Sequence, residues 1–350
     1  MNKWIKITAF LFALLLVGQL YSFPEKYVQK EIQFQFELDT ISGVLILPQE
    51  KNEQYADPPL VIFVHGDGAA ARDAFGYYKP IWNELTKRGI ACLSLDKKGV
   101  GQSTGNWLDQ SMNDRAKEII AAIEYAKSDL GFNNSAIGLI GFSQGGWVMP
   151  KVATLSDYPD FIISISGAIN WKRQSNYLTR KRMELEAANE AIIEAGVRQN
   201  KIDFNIFNHD VIYSEYVSYQ KEGCKNEKEE DCDFMSEERF RFVKKNISSD
   251  AEQDLENIRC PIFGVFGAED LNVDSEESYQ TYERIFSINN TNNYKLKVYP
   301  EATHILLKSK HFNTLNPGIG FLVKLKLFGK RAFVKDVLSD ISEFVIQNSK

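Results

Sequence analysis

The stretch AIGLIGFSQGGWVMP, residues 136–150, runs from a short apolar segment into a serine between glycines and then into a segment of helical character. Gly141, Ser143 and Gly145 fit the pattern G-x-S-x-G, which holds a serine side chain exposed on a sharp strand-to-helix turn. Its neighbours must be small because the serine of such a turn takes a strained backbone conformation. This stretch predicts a buried strand, a tight turn and a helix, with Ser143 as the candidate nucleophile.

A second match to the pattern lies in GVGQSTGNW, residues 99–107, where Ser103 is the central serine. The apolar run before it ends near Asp96, several residues too early, and the residues after it are typical of turns rather than of a helix. This context predicts a glycine-rich loop at a strand end, and Ser103 is not expected to act as a nucleophile.

Further apolar runs alternate with helical stretches along the chain. The runs predicted to be strands are KEIQFQFEL, ISGVLILP, PLVIFVHG, IACLSLD, AIGLIGFS, FIISISGA, PIFGVFG and YKLKVYP. The first two form a hairpin, and the unbroken apolar runs that follow are typical of strands buried on both faces. The alternation predicts an α/β protein with a doubly wound, mostly parallel sheet, whose reactive groups lie at the carboxyl ends of the strands.

This alternation stops between Asn170 and about Asn257, where polar helical sequence contains no β-rich run. We predict a helical cap over residues 171–257, inserted after the sixth core strand. The core then comprises residues 23–170 and 258–350.

A serine needs a base and an orienting acid before it can act as a nucleophile. His304 follows the last predicted strand and can reach the site from a loop, so it is the predicted base, with His311 a weaker second. His65, at the end of the first buried strand, is suited to shaping the loop for the oxyanion, and His209 lies in the predicted cap.

The acid is expected after the seventh strand, because the chain order serine, acid, histidine then holds. The segment GAEDLNV offers Glu269, Asp270 and Asp274. Asp270 is the predicted acid, since a turn at Gly267 followed by a short loop brings it over the strand end. Asp274 also fits a helix cap.

Backbone N–H groups stabilise the oxyanion of a tetrahedral intermediate. The predicted donors are those of Gln144, directly after the candidate nucleophile, and of Asp67, in HGDG after the first buried strand. Only the backbone serves this role, so the side-chain identity constrains it little.

The motifs HGDGAAARDAF, LDKKGVGQSTGNW, GFSQGGWVMP, GAEDLNV and EATH follow one another along the chain. Together they resemble the α/β-hydrolase fold family, and more narrowly its bacterial esterase-like members, from about residue 30 onward apart from the cap and the segment around 308–331. The resemblance implies a serine hydrolase that cleaves carboxylic esters through an acyl-enzyme on a triad of Ser143, Asp270 and His304. It implies no metal and no organic cofactor.

Two residues depart from the family pattern. Lys98 replaces the usual arginine in the loop after the second core strand, and Asp67 replaces a small neutral residue beside the oxyanion site. A carboxylate there is expected to weaken oxyanion stabilisation or to disfavour anionic substrates, unless Arg72 or Lys98 neutralises it.

Other functions remain open on the same residues. A serine peptidase acting on short peptides, a thioesterase and an acyltransferase need the same triad, and a non-catalytic binding protein can share the fold. The leading expectation is a small-molecule ester or short acyl substrate. The net charge of −6 does not predict a nucleic-acid partner.

The first 22 residues read as a targeting segment. Lys3 and Lys6 precede an apolar run from Ile7 to about Gly18, which is short for a membrane span. The pattern predicts a signal peptide and a periplasmic or extracellular protein, with an uncleaved anchor in the inner membrane as the alternative.

Two further features depend on location. Cys224 and Cys232 lie close together in a charged segment, which favours a disulfide in an exported protein. The segment 311–331 combines apolar residues with Lys324, Lys326 and other basic residues. It fits either a membrane-surface contact or a packed loop with a basic rim.

Overall fold

The structure is a computed structural model that describes residues 27–49, 57–207, 209, 211–223, 234–288 and 293–349. The predicted signal peptide or anchor at 1–22 and the predicted disulfide between Cys224 and Cys232 lie outside these residues. Both stay predictions.

The described residues form one eight-stranded sheet. Its strands are β1 (Tyr27–Phe36), β2 (Asp39–Pro48), β3 (Leu60–Val64), β4 (Ala91–Leu95), β5 (Ile137–Phe142), β6 (Phe161–Ile165), β7 (Ile262–Gly267) and β8 (Tyr294–Tyr299). They lie in the order β1-β2-β4-β3-β5-β6-β7-β8. The β1–β2 and β2–β4 pairs are antiparallel and the others are parallel. The predicted doubly wound, mostly parallel sheet is confirmed.

Helices lie on both faces of this sheet. They are α1 (Lys79–Lys87), α2 (Met112–Ser128), α3 (Gly145–Leu155), α4 (Trp171–Leu185), α5 (Glu190–Phe207), α6 (Tyr213–Gly223), α7 (Glu237–Asn246), α8 (Glu252–Glu256), α9 (Ser275–Ile288), α10 (Ser309–Phe312), α11 (Ile319–Phe328) and α12 (Val337–Gln347). Helices α1 and α12 share a hydrophobic cluster with one face, and α2, α3 and α9 share another with the opposite face. No helix of the described ranges has both the length and the apolar character needed to cross a bilayer.

Strand β3 shows how the sequence fixes the centre of the sheet. Leu60, Ile62 and Val64 join the cluster of α2 and α3, whereas Val61 and Phe63 join the cluster of α1 and α12. Side chains alternate between the two faces of a strand, so an unbroken apolar run is buried on both. Burying a side chain of this size stabilises the fold by about 2 kcal/mol, and this anchors the carboxyl end of β3.

Helices α4 to α8 occupy the connection between β6 and β7, where the sequence predicted a helical insertion. They pack on the sheet domain rather than forming a separate core, since Phe242 and Val243 belong to the same cluster as α2 and α3. Trp171 at the start of α4 stacks on Trp147 of α3, with ring centroids 5.1 Å apart. The insertion therefore packs against the helix that follows the Ser143 turn.

Candidate active site

Ser143 forms the turn between β5 and α3, and its φ of +50° lies in the left-handed region. Its backbone N–H donates to the carbonyl of Ile165 at 3.1 Å, and its carbonyl accepts from the N–H of Ala168 at 2.9 Å. Both partners belong to the end of β6 and the loop that follows it. The neighbouring strand thus holds the strained turn, as the strand-turn-helix context of the sequence predicts.

Gly146 lets α3 begin against that loop. A Cβ atom at this position would lie 2.6 Å from both the backbone nitrogen and the carbonyl oxygen of Ala168. Any side chain would therefore push α3 away from the chain that fixes Ser143.

Asp270 and His304 are in contact, with 2.8 Å between the Asp270 Oδ2 and the His304 Nδ1. The other oxygen of this buried carboxylate accepts from the backbone N–H groups of Asn272 at 2.7 Å and Val273 at 2.9 Å. These bonds fix the carboxylate so that its second oxygen faces the imidazole. The ring's Nε2 is then the nitrogen available to a nucleophile.

The two alternative acids lie elsewhere. Glu269 is exposed, and Asp274 caps α9 by accepting from the backbone N–H groups of Glu276 and Glu277 at 3.1 Å. Asp274 is therefore a helix cap, which is the alternative role that the sequence allowed for it.

The loops that carry Asp270 and His304 are bonded to each other. The N–H of Glu269 donates to the carbonyl of Ala302 at 2.9 Å. At the end of β7, a Cβ atom on Gly267 would lie 2.3 Å from the carbonyl oxygen of Thr303. This close approach requires glycine, and it sets the distance between the acid and the histidine.

Ser143 and His304 are not joined by a hydrogen bond among the described residues. Such bonds are often long in an enzyme without its substrate and shorten when the substrate is bound. The weaker candidate, His311, is exposed and packs with its ring centroid 5.3 Å from that of Phe328. His209 is exposed on the insertion.

The two predicted oxyanion donors lie at the ends of neighbouring strands, Asp67 after β3 and Gln144 after β5. Within the described ranges, neither backbone N–H donates to another group. Their side chains are bonded, because the Gln144 Nε2 donates to the Asp67 Oδ1 at 3.1 Å. The two turns are therefore held together, with both N–H groups available to an acceptor.

Arg72 and Lys98, the two cations considered as partners of Asp67, bind other carboxylates. Arg72 donates to Asp96, with 2.7 Å between its Nη2 and the Asp96 Oδ2, and the Lys98 Nζ lies 2.9 Å from a carboxylate oxygen of Asp39. Neither residue neutralises Asp67, because nearer carboxylates bind them.

Arg239, on α7 of the insertion, neutralises Asp67 instead. Its two terminal nitrogens donate to the two carboxylate oxygens at 3.0 and 2.7 Å. Burial alone would raise the pKa of the Asp67 carboxyl, but the hydrogen bonds and the charge of Arg239 outweigh it and lower that pKa. The carboxylate beside the oxyanion site is thus ionised and paired.

A second contact joins the insertion to the site. The hydroxyl of Tyr177, on α4, donates to the backbone carbonyl of Asp270 at 2.7 Å. Together with the Arg239–Asp67 pair, it connects the inserted helices to the loop that carries Asp270, the acid loop, and to the turn that carries the predicted oxyanion donor Asp67, the oxyanion turn.

Buried charged groups underlie the oxyanion turn. Arg115 of α2 donates to the Gln144 side chain and to the carbonyl of His65, the latter at 2.7 Å. The Lys97 Nζ donates to the carbonyls of Gly66 and Gly68 at 2.7 and 2.8 Å. Neither residue was predicted from the sequence, although Arg115 and Glu118 interrupt the otherwise apolar stripe of α2 and so gave a signal.

His65 is buried next to these cations and is neutral. Its Nε2 lies 2.6 Å from the Leu95 carbonyl and its Nδ1 lies 3.0 Å from the Tyr78 hydroxyl. Burial, with the nearby charges of Lys97 and Arg115, lowers the pKa of His65 to about 3. The role expected for this residue, shaping the oxyanion loop, fits these contacts.

A cavity of about 200 Å³ opens beside His304. Its apolar wall includes Ile305, Phe312, Leu315 and Phe321. The described residues that line it include no aspartate, glutamate, lysine or arginine. Polar but uncharged side chains also line it, and they include Asn272, Thr303, Asn313 and Thr314. The cavity suits an uncharged, mainly apolar group.

Ser103 has a structural role. Its buried Oγ accepts from the N–H of Ser42 at 2.9 Å and donates to the carbonyl of Asp96 at 2.9 Å. These bonds tie a loop between Gly101 and Gly105, both at positive φ, to the ends of β2 and β4. The predicted strand-end loop is present.

Comparison with known proteins places these observations in a family. The family model described as serine aminopeptidase, S33, matches residues 58–311. No curated protein matches the sequence.

Solved structures with the same fold include two esterases and a peptidase. An esterase of Pyrococcus furiosus is 18% identical, with a TM-score of 0.54, 92% of this chain covered and 91% of that one. Est1E from Butyrivibrio proteoclasticus, with ferulic acid bound, is 19% identical, with a TM-score of 0.54 and coverage of 91% and 98%. An acylaminoacyl peptidase of Pyrococcus horikoshii is 15% identical, with a TM-score of 0.56 and coverage of 95% and 44%. At these identities the likeness shows the fold alone.

Proposed function

The chain belongs to the serine aminopeptidase, S33 family of α/β-hydrolases, and we propose that it hydrolyses carboxylic esters with Ser143 as its nucleophile. The observation that carries the proposal is the 2.8 Å bond between Asp270 and His304, in a fold whose elbow serine lies at the end of β5. Nucleophile, orienting acid and base then follow one another in the order typical of this fold.

In the proposed first step, the His304 Nε2 takes the proton of Ser143 while the Oγ attacks the ester carbonyl carbon. Asp270, through its bond to Nδ1, keeps the ring in the tautomer that can accept this proton and stabilises the imidazolium. The N–H groups of Gln144 and Asp67 receive the negative oxygen. The intermediate collapses as His304 returns the proton to the departing alcohol, which leaves an acyl group on Ser143.

In the second step, His304 deprotonates a water molecule that attacks the acyl carbon. The same N–H groups bind the second oxyanion. The bond to the Ser143 Oγ breaks, the oxygen takes the proton back from His304, and the carboxylic acid leaves. No metal or organic cofactor takes part in this sequence of steps.

The cavity beside His304 favours esters over peptides with a free amino terminus. An aminopeptidase has to bind an ammonium group, and a carboxylate is the side chain that does so best. The described residues around this cavity offer no carboxylate and provide an apolar wall instead. Such a wall suits the acyl chain of an ester.

A peptidase acting on short peptides is the second candidate, because the matched family is described as a serine aminopeptidase. Thioesterase and acyltransferase activities rest on the same triad. A series of p-nitrophenyl esters of increasing chain length, assayed beside aminoacyl p-nitroanilides and acyl thioesters, separates these functions. Faster hydrolysis of an aminoacyl anilide than of every ester would favour the second candidate.

Labelling with a fluorophosphonate probe tests the nucleophile. We expect the wild type and Ser103→Ala to be labelled and Ser143→Ala to remain unlabelled. A folded wild type that does not react at all would favour a non-catalytic binding protein on this fold.

We also propose, from the sequence alone, that residues 1–22 direct the chain to export and that Cys224 and Cys232 form a disulfide. Mass spectrometry of the protein from the periplasm or the medium tests both points. A cleaved amino terminus and two fewer hydrogens across the cysteine pair support them, whereas an intact terminus in the membrane fraction would favour the anchor.

A further inference from the structure

The stretch from Ala302 to Lys335 differs in charge from the rest of the chain. The whole chain has a net charge of −6, but this stretch contains no aspartate or glutamate. Its basic residues are Lys308, Lys310, Lys324, Lys326, Lys330, Arg331 and Lys335. All of them are exposed.

Helix α11 lies within this stretch and presents two apolar faces. Its inner face packs on the protein: Leu325 is buried, and the rings of Phe321 and Phe328 contact Phe312. Its outer face carries Ile319, Leu322 and Val323, which are 81%, 39% and 45% exposed. The segment is therefore a helix with one packed face and one exposed apolar face, rather than an ordinary packed loop.

The inner face of α11 forms part of the wall beside the site. Phe321 lines the cavity of about 200 Å³ that also contains His304. Leu322 and Val323, the next two residues of this helix, are exposed.

We propose that α11 docks on the surface of an anionic lipid bilayer. Ile319, Leu322 and Val323 would insert at the level of the headgroups, and the surrounding lysines and arginine would bind the negatively charged lipids. Exposed aliphatic side chains can bury their apolar surface at the boundary between headgroups and acyl chains, while the ammonium groups of neighbouring lysines stay among the headgroups. Basic clusters near such a helix select anionic lipids.

Charge decides between a bilayer and a second copy of this chain. In a symmetric dimer built on α11, the same patch meets itself, so the basic stretch of one protomer would face that of its partner. Like charges brought together oppose such an interface. An anionic bilayer instead complements both the apolar face and the charge.

The position of α11 also points to the origin of the substrate, an inference that rests on the proposed function. A helix that lies on the bilayer and forms the wall of the cavity brings His304 close to lipid molecules. The ester class that follows is a long-chain acyl ester held in the bilayer.

Co-sedimentation of the full chain with vesicles tests the docking. We expect the protein to bind phosphatidylcholine vesicles containing phosphatidylserine about tenfold more strongly than vesicles of phosphatidylcholine alone, and to be released by high salt. The double variants Leu322→Ser/Val323→Ser and Lys324→Glu/Lys326→Glu should each weaken binding about tenfold.

Matched controls carry the same changes elsewhere. Ile192→Ser/Ile202→Ser alters aliphatic residues of α5 that are 52% and 46% exposed, and Lys30→Glu/Lys201→Glu reverses two exposed lysines. Both controls should bind as the wild type does.

Two outcomes would overturn the proposal and assign attachment to another part of the chain. One is equal binding of both vesicle types, and the other is wild-type binding by the α11 variants. A dimer that dissociates only in the α11 variants, with vesicle binding unchanged, would overturn it in favour of self-association.

Assays of ester hydrolysis distinguish a failure of membrane docking from a failure of the proposed esterase function. Soluble p-nitrophenyl acetate should be hydrolysed equally by the wild type and the α11 variants, whereas a long-chain acyl ester in anionic vesicles should be hydrolysed about tenfold more slowly by those variants. Ser143→Ala should sediment normally and hydrolyse neither. A wild type that sediments through α11 but hydrolyses no ester would contradict the proposed function alone. Equal rates on the vesicle ester in all α11 variants would contradict the lipid substrate alone.

Discussion

Two loops of this chain carry the same pattern of glycine, serine and glycine, and the structure uses them differently. Ser143 follows its strand at once, takes a φ of +50° and is partly exposed. Ser103 comes eight residues after its strand ends at Leu95 and is buried. Its hydroxyl forms hydrogen bonds with two backbone groups. The three-residue pattern is thus equally present in both loops, and the position relative to the strand decides what the serine can do.

Each loop also has its own carboxylate. Asp270 aims one oxygen at His304, a group that can move a proton. Asp96 is buried between Arg72 and the N–H of Gln102, and it holds the Ser103 loop in place. One carboxylate serves a reaction and the other serves the fold, and exchanging either for its amide should separate the two roles.

The largest effect is expected at these carboxylates. Asp270→Asn should lower kcat on p-nitrophenyl acetate by about ten-thousandfold, because the amide favours the wrong tautomer of His304. Asp96→Asn should leave kcat nearly unchanged but lower the free energy of unfolding by about 3 kcal/mol, because Arg72 loses its buried partner. Steady-state kinetics and urea denaturation of the two variants measure both quantities.

Glu269→Gln is the matched control, since it removes an exposed carboxylate of the same loop. It should behave like the wild type in both assays. An Asp270→Asn variant that keeps kcat within tenfold of the wild type would argue against Asp270 as the acid.

His65 connects the two loops and should make stability depend on pH. Its ring contacts the Leu95 carbonyl at the end of β4, and its own carbonyl binds Arg115, which reaches Gln144. Its pKa is about 3 in the folded protein, against an ordinary 6.5. Between these values the unfolded chain binds the extra proton, so stability falls as the pH is lowered.

The contribution of His65 is at most about 1.4 kcal/mol per pH unit, or about 2 kcal/mol between pH 6.5 and 5. Urea denaturation at these two pH values measures it. His65→Gln should show a smaller loss of stability on acidification than the wild type does. His311→Gln, which removes an exposed histidine, controls for the loss of an imidazole. Equal losses in His65→Gln and the wild type would show that His65 is not the group responsible.

A smaller effect is expected where the insertion meets the oxyanion turn. Arg239→Ala should lower kcat/KM about tenfold, because the Asp67 carboxylate is then left unpaired where negative charge develops. Adding Asp67→Ser to this variant should restore most of the loss, and Asp67→Ser alone should be nearly neutral. Ester hydrolysis by the four proteins forms a double-mutant cycle.

Arg241→Ala, on the same helix, removes an exposed arginine paired with Glu237 and should have no effect on kcat/KM. If Arg239→Ala/Asp67→Ser is as slow as Arg239→Ala, the loss comes from the packing of Arg239 on Phe242, whose ring centroid lies 4.9 Å from the guanidinium. Charge would then not be the cause.

The smallest effect concerns backbone strain. Ser143→Gly should be about 1 kcal/mol more stable than Ser143→Ala, because glycine adopts positive φ freely. At Ser103, which is not among the described residues with positive φ, the order should reverse by about 0.5–1 kcal/mol. Thermal or urea unfolding of the glycine and alanine variants at both positions compares the two serines directly. The same order at both positions would contradict the assigned strain.

The strands of this fold could be predicted because their signal is local. An unbroken apolar run such as that of β3 buries both faces and needs no knowledge of its neighbours. The insertion could be predicted because β-rich runs are missing between Asn170 and Asn257. The contact between Asp270 and His304 was expected from chain order and from their positions just after strands.

Arg239 could not be predicted as the partner of Asp67. The two residues are 172 positions apart, and a pair across an insertion depends on how the helices dock. The expected partners, Arg72 and Lys98, are nearer in sequence but face other carboxylates. The apolar segment 311–331 was equally ambiguous. Which side of its helix is packed depends on the contacts of Phe321 and Phe328 with Phe312, and these contacts cannot be deduced from the sequence.

Tyr177 and Arg239 extend from different helices of the insertion to the two halves of the site. Any motion that lifts these helices from the sheet must break both contacts. While the helices are lifted and a molecule can pass beneath them, the acid loop therefore lacks its bond to Tyr177 and the oxyanion turn lacks its bond to Arg239. If turnover involves such a motion, its steps are separated in time. Substrate enters and product leaves while the helices are lifted, and bonds form and break while the helices are in contact with the sheet.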